Sequence, residues 1–140
     1  MEKKYKLTEE TINVEGKTLY RIEALQDFSD VKQGDKGGYV EKEENLSQYG
    51  DCWAYDNAKI YGNAQIYGKA AVHDDAVVCG HAIVCDNAEV YEGAVVCGDM
   101  VVCGHAIVCG HAKVYDNAKV RGDAVLHGDA EVFGNAEVCD

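Results

Sequence analysis

From Ala58 onward, apolar and polar positions repeat every six residues: AKIYGN, AQIYGK, AAVHDD, AVVCGH and so on, thirteen full hexads followed by AEVCD. The first position is Ala in every hexad but one, where it is Met100, and the third is always Val, Ile or Leu. Residues two apart on a strand point to one side. First and third positions therefore form an inward stripe, one small and one branched, while second and fourth positions point outward. The fifth is Gly, Asp or Glu and the sixth mostly Asn, Asp or His. These residues tolerate positive φ or close their own turn through a side chain, so they mark corners. A period of six does not keep Ala and Val on one 3.6-residue face, which excludes a helix. The spacing extends backwards through Cys52, Leu46 and Val40, in phase with the first position and with no insertion or deletion between Leu46 and Asp140.

Three strand-and-corner units close a triangular coil of about 18 residues, with rungs about 4.8 Å apart. Residues 46–140 then build about five rungs, a rod about 25 Å long. The predicted class is all-β, a single-stranded parallel β-helix with a small N-terminal cap. The cap occupies residues 1–45 and the repeat 46–140. Within the cap, Thr11 to Val14, the pair Glu15-Gly16, and Lys17 to Ala24 read as a β-hairpin. Open sheet edges invite pairing, so solenoids need caps, and Leu19, Ile22 and Leu25 are expected to cover the first rung. Gly34, Gly37 and Gly38 mark a tight start to the coil.

The lead-in from Leu25 to Glu43 (LQDFSDVKQGDKGGYVEKE), the triplet Asn45-Leu46-Ser47, Trp53 and the recurring Gly-Asn-Ala-x-Val pattern carry a resemblance. Over about residues 20–140 the chain resembles the YdcK-like β-solenoid proteins of bacteria and phages, within the hexapeptide-repeat left-handed parallel β-helix superfamily. The left hand is implied by this resemblance, because general topology rules alone favour right-handed crossovers. The superfamily includes CoA-dependent acyltransferases and γ-class carbonic anhydrases. Its members are often labelled transferases or polymer-forming proteins, a label that rests on fold analogy.

Stacking at 18-residue intervals defines the outward columns. In the middle rungs these are apolar. Val77, Cys79, Val95 and Cys97 form one patch, Ile83, Cys85, Val101 and Cys103 its neighbour, and Ile107 with Cys109 a third. Apolar patches on a soluble rod point to lateral interfaces. The last rung, with Leu126, Val132, Phe133 and Val138, is expected to present its edge to a second subunit. The cysteines, including the stacked pairs Cys79/Cys97 and Cys85/Cys103, read as small reduced hydrophobes, since parallel in-register strands strain a bridge. At the corners, His81, His105 and His111 each precede an Asp by 18 residues: Asp99, Asp123 and Asp129. Stacking sets each His on a carboxylate, whose charge is expected to raise the His pKa.

Composition narrows the function. The net charge is −12, with 25 Asp+Glu against 13 Lys+Arg, which opposes direct nucleic-acid binding and adhesion to anionic membranes. No apolar run approaches the length of a membrane span, and the start MEKKYKLTEE has no apolar signal core. A cytoplasmic location, in a bacterial host cell, is the expectation. The three corner His lie on different corners and do not converge, no loop interrupts the hexads, and no metal or cofactor motif stands out. The sequence therefore reads as a non-enzymatic protein-interaction module, a homo-oligomeric scaffold with a dimer favoured. Two alternatives stand. One is a phage- or mobile-element-encoded anti-defence inhibitor of the anti-CRISPR type, whose acidic rod (5 basic against 14 acidic residues over 46–140) blocks a partner's basic nucleic-acid site. The other is a hexapeptide acyltransferase with an intersubunit site.

Overall fold

The computed structural model describes residues 3–139. Strand β1 (Tyr5–Val14) and strand β2 (Lys17–Ala24) form an antiparallel hairpin. Its two turn residues, Glu15 and Gly16, both have positive φ, 50° and 81°, the turn class whose twist matches that of paired strands. Strand β3 (Lys36–Val40) pairs antiparallel with β2 on one edge and parallel with Lys59–Ile60 on the other. The hairpin is thus continuous with the coil.

Below it the chain winds as a parallel β-solenoid of about six turns. The first face stacks β3, Lys59–Ile60, Val77–Gly80, Val95–Gly98, Lys113–Asp116 and Glu131–Val132. The second stacks Gln65–Ile66, Ile83–Val84, Val101–Val102, Lys119–Val120 and Glu137–Val138. The third stacks Trp53–Ala54, Ala71–Val72, Glu89–Val90, Ile107–Val108 and Val125–Leu126. No α-helix occurs among the described residues, and one 3-10 turn spans Glu43–Asn45. No helix is long and apolar enough to cross a membrane. From Trp53 on, partners lie 18 residues apart, as Trp53 with Ala71 and Lys119 with Glu137. The first- and third-position side chains fill the core: Ala82, Val84, Ala88, Val90 and Met100 are fully buried.

The register departs from the sequence reading at its start. Val40 pairs with Ile60 and Leu46 with Ile66, a spacing of 20. Both therefore take the branched third position, not the first. Gly50 nevertheless lies over Gly68, so two extra residues sit between Leu46 and Gly50. The extra coil level begun by β3 is why the turns number about six where five were expected.

The cap works as a plug. Tyr5, Ile22, Ala24 and Val31 are buried in the same cluster as Trp53 and the hexad core. The rings of Tyr5 and Phe28 stand edge-on to Trp53, with centroids 6.0 and 5.2 Å away, a favoured aromatic arrangement. Lys4 is buried, and its Nζ donates to the carbonyls of Cys52 (2.7 Å) and Gly50 (3.1 Å). Burial lowers the Lys4 pKa from its ordinary value. Gly37 and Gly38 are needed for close approach: a Cβ on either would lie 2.6 Å from the carbonyl oxygen of Ala54 or Ala58. Ile22 is buried in this core as expected and Leu25 is half-buried, but Leu19 is buried in a separate cluster and does not cover the first rung.

Candidate interaction surfaces

Lys113, Glu131 and Phe133 are exposed low on the first face, but the outward residues of its upper rungs do not form a free surface. The hairpin leans over them, so Leu19 joins Tyr39, Tyr61 and Cys79 in a separate buried cluster, with Ile12, Val14, Val77 and Cys97 packed against it. At the hairpin turn, the Tyr61 hydroxyl donates to Glu15 at 2.9 Å. Of the expected lateral patch, Cys79 is buried under the chain's own N-terminal segment and the half-buried Val77 and Cys97 pack beside it, while Val95, also half-buried, lies outside that cluster. Sequence periodicity missed this because the hairpin lies outside the repeat. Its signal was the apolar Ile12, Val14 and Leu19 on a strand pair already closed by a cap. The structure also joins Cys79 and Cys97 as a disulfide, with Cα atoms 4.6 Å apart. This corrects the expectation of reduced thiols for that pair, while Cys52, Cys85, Cys103, Cys109 and Cys139 are free.

The second face carries an equivalent column at the same rungs, and the hairpin does not pack against it. Ile83 and Val101 are half-buried by their neighbours above and below, as is Cys103, while Cys85 is buried. Tyr67, 42% exposed, closes one end of the column. Ser47 bonds through its N–H to the Ile66 carbonyl, so Ser47 stands over Tyr67 and Tyr49 is pushed out of line. Glu44 joins Ser47, Gln65 and Tyr67 around one shallow depression there. At the other end Lys119 and Arg121 are exposed, and Arg121 pairs with Glu137 at 2.9 Å.

The third face has a different character. Ile107 is half-buried and Cys109 buried, but the upper rungs carry Tyr55, His73 and Tyr91 in one outward column. The Tyr55 and His73 rings stack at 4.4 Å and 7°, while Tyr91 stands perpendicular to His73, 6.3 Å away.

The corners show a pattern that the sequence reading did not contain. Where Asp or Glu replaces Gly at the fifth position, φ remains positive: 58° at Asp56, 59° at Asp74, 60° at Asp86 and Glu92, 64° at Asp116. Each carboxylate accepts the backbone N–H of the corner residue one rung further on, in the pairs Asp56–Asp74, Asp74–Glu92, Glu92–Gly110, Asp86–Gly104 and Asp116–Gly134, at 2.8–3.2 Å. The acidic corners thus satisfy backbone donors. The sixth-position stack behaves differently. The N–H groups of His81, His105 and His111 bond to Gly98, Gly122 and Gly128, which sets each His one rung from Asp99, Asp123 and Asp129. All six side chains are exposed, and among the described residues the ion pairs are made by other groups. The His–Asp pairing is not formed, because the rung spacing lets both side chains turn to water.

Leu126 and Val132 are buried in the last described rung, Val138 is half-buried, and Phe133 is 54% exposed, stacked on Tyr115 at 5.4 Å. Their strands are the outermost of the three sheets.

Stacked coils of about 18 residues, inward Ala-x-Val stripes and positive-φ corners settle the architecture. The chain folds as a β-solenoid of about six turns, built on a six-residue repeat. Over 42 residues it is 45% identical to the uncharacterized acetyltransferase YdcK of Escherichia coli (strain K12). That match spans 30% of this chain and only 13% of the relative's length. No family model matches the chain.

Proposed function

We propose that this chain is a non-catalytic interaction module that assembles with a second copy of itself through its second face, as a homo-oligomeric scaffold with the dimer as its unit. One observation carries the reading. Two faces bear like apolar columns, and the chain packs its own hairpin against Val77, Cys79 and Cys97 of the first, while no part of the hairpin packs against the second. Apolar residues left outward on a stiff rod favour association once a matching surface is available.

Charge selects the orientation. Parallel, in-register packing sets Lys119 and Arg121 against their own copies. A two-fold axis between the Cys85 and Cys103 rungs instead brings Arg121 toward Tyr67 and Glu44 of the second copy. There a guanidinium finds an aromatic face and a carboxylate. Such a two-fold interface is closed and does not grow into a fibre. Light scattering is expected to give twice the chain mass of 15.2 kDa at micromolar concentration, and Val101→Asp to give the monomer with an unchanged circular dichroism spectrum. A wild-type monomer under those conditions overturns the reading.

The acetyltransferase name of the YdcK relative favours a second, catalytic reading. For this chain it means acyl transfer at a site between subunits, with release of free CoA from acetyl-CoA as the assay. The inhibitor alternative, an acidic rod seated in a basic nucleic-acid channel, predicts partner binding that weakens steeply with salt.

A further inference from the structure

The third face holds a notch that the self-association of the second face does not use. Its upper wall is the His73 ring. One side of that ring is covered by Tyr55, whose hydroxyl is fixed by a 2.8 Å hydrogen bond to Asp30. The other side looks toward Tyr91, which stands perpendicular to it. Beside them an open depression of about 220 Å³ is lined by His73, Tyr91, Asp74 and Glu89. The rings are held by the coil itself: His73 and Tyr91 are anchored through their N–H groups to Val90 and Val108.

Both carboxylates are exposed and make no ion pair among the described residues. Asp74 uses one oxygen to accept the Glu92 N–H, which fixes its direction and leaves the other oxygen free. The outward positions of this face, Ala71, Glu89, Ile107 and Val125 beside the aromatic column, contain no Lys or Arg to neutralise them. Anions are repelled, so a phosphate or nucleic acid does not fit. A flat cation does, because it can lie against a ring and reach carboxylates in its own plane.

We propose that this notch is a binding site for a guanidinium group, that of an arginine side chain on a protein partner. The guanidinium stacks on the ring of Tyr91, and its N–H groups reach Glu89 and the free Asp74 oxygen. An ammonium, a compact and strongly hydrated point charge, exploits the rings less well.

The test is NMR titration of the full chain with N-acetyl-arginine methylamide, alongside its lysine counterpart and sodium chloride at matched ionic strength. Saturable shifts centred on His73, Tyr91 and Glu89, stronger for arginine than for lysine and absent with salt, are expected. Tyr91→Ala and Glu89→Gln, each checked for an unchanged spectrum elsewhere, should each weaken binding about threefold or more. A second arm compares free L-arginine, which carries an α-ammonium and an α-carboxylate, with the capped residue, whose amides stand for peptide bonds. Capped arginine binding at least as tightly supports a protein arginine as the source, while tighter binding of free L-arginine identifies the amino acid and overturns the protein partner. Shifts spread evenly over the acidic surface, equal binding of lysine, or indifference to both variants overturns the site.

Discussion

The carboxylate of Asp74 accepts the backbone N–H of Glu92, one rung further along the coil, at 3.0 Å. Both residues are in the left-handed region, where a side chain other than that of Gly is disfavoured by about 1–2 kcal/mol. The hydrogen bond offsets part of that cost, and it explains why this repeat can alternate Gly with Asp or Glu at its corners.

Asp86 is the cleanest place to test the corner, since its carboxylate meets the N–H of Gly104 at 3.0 Å with φ at 60°. Asp86→Ala keeps the Cβ in a disfavoured region and loses the bond, so it should destabilise by about 1–2 kcal/mol. Asp86→Gly loses the same bond but relaxes the backbone, and its cost should be smaller. Urea unfolding orders the two variants, and the reverse order would contradict the explanation.

Asn45 is fully buried, and its side chain makes four hydrogen bonds. It accepts from the N–H groups of Glu41 and Lys42 and donates to the carbonyls of Gly62 and Ala64. Asn45→Ala leaves buried backbone groups unsatisfied, at a cost of about 3 kcal/mol. Asn45→Asp keeps the two acceptor bonds but sets a buried carboxylate oxygen against the Gly62 and Ala64 carbonyls, so at neutral pH it should cost at least as much as Asn45→Ala. Thermal unfolding followed by circular dichroism reads the series.

Gly37 has no room for a side chain, because a Cβ would lie 2.8 Å from carbons of both Ile22 and Trp53 and 2.6 Å from the Ala54 oxygen. Gly37→Ala should shift the β3 backbone and loosen the plug by about 1–3 kcal/mol. The fluorescence of Trp53, the single Trp of the chain, should report the change, and an unaltered spectrum with unaltered stability would refute it.

The Tyr61 phenol is pushed up to about 12, first by burial and then by its hydrogen bond to Glu15. The unfolded chain releases this proton near the ordinary value of 10. The protonated contact therefore contributes its full stability below pH 10, and loses it as pH rises toward 12. Stability measured across that window should fall, and Tyr61→Phe should flatten that part of the profile.

The coil was legible because six-residue spacing with inward Ala and Val leaves one way to bury both. The same logic lost its phase at the start. Val40 and Leu46 are apolar at six-residue spacing in either register, and only pairing with Ile60 and Ile66 shows that they fill the branched slot. The apolar columns were legible as outward residues, but not which of them is free. The hairpin's Leu19 closes over Tyr61 and Cys79 through contacts between segments far apart in sequence.

The repeat by itself determined the strands, the corners and the core, since each depends on residues within a few positions of one another. Tertiary structure alone decided which outward face the cap covers, how Tyr55, His73 and Tyr91 orient their rings, and that corner carboxylates turn to backbone N–H groups while His81 and Asp99 stay apart. Those outcomes depend on distances between rungs and on where an unrepeated segment folds back, and a one-dimensional pattern carries neither.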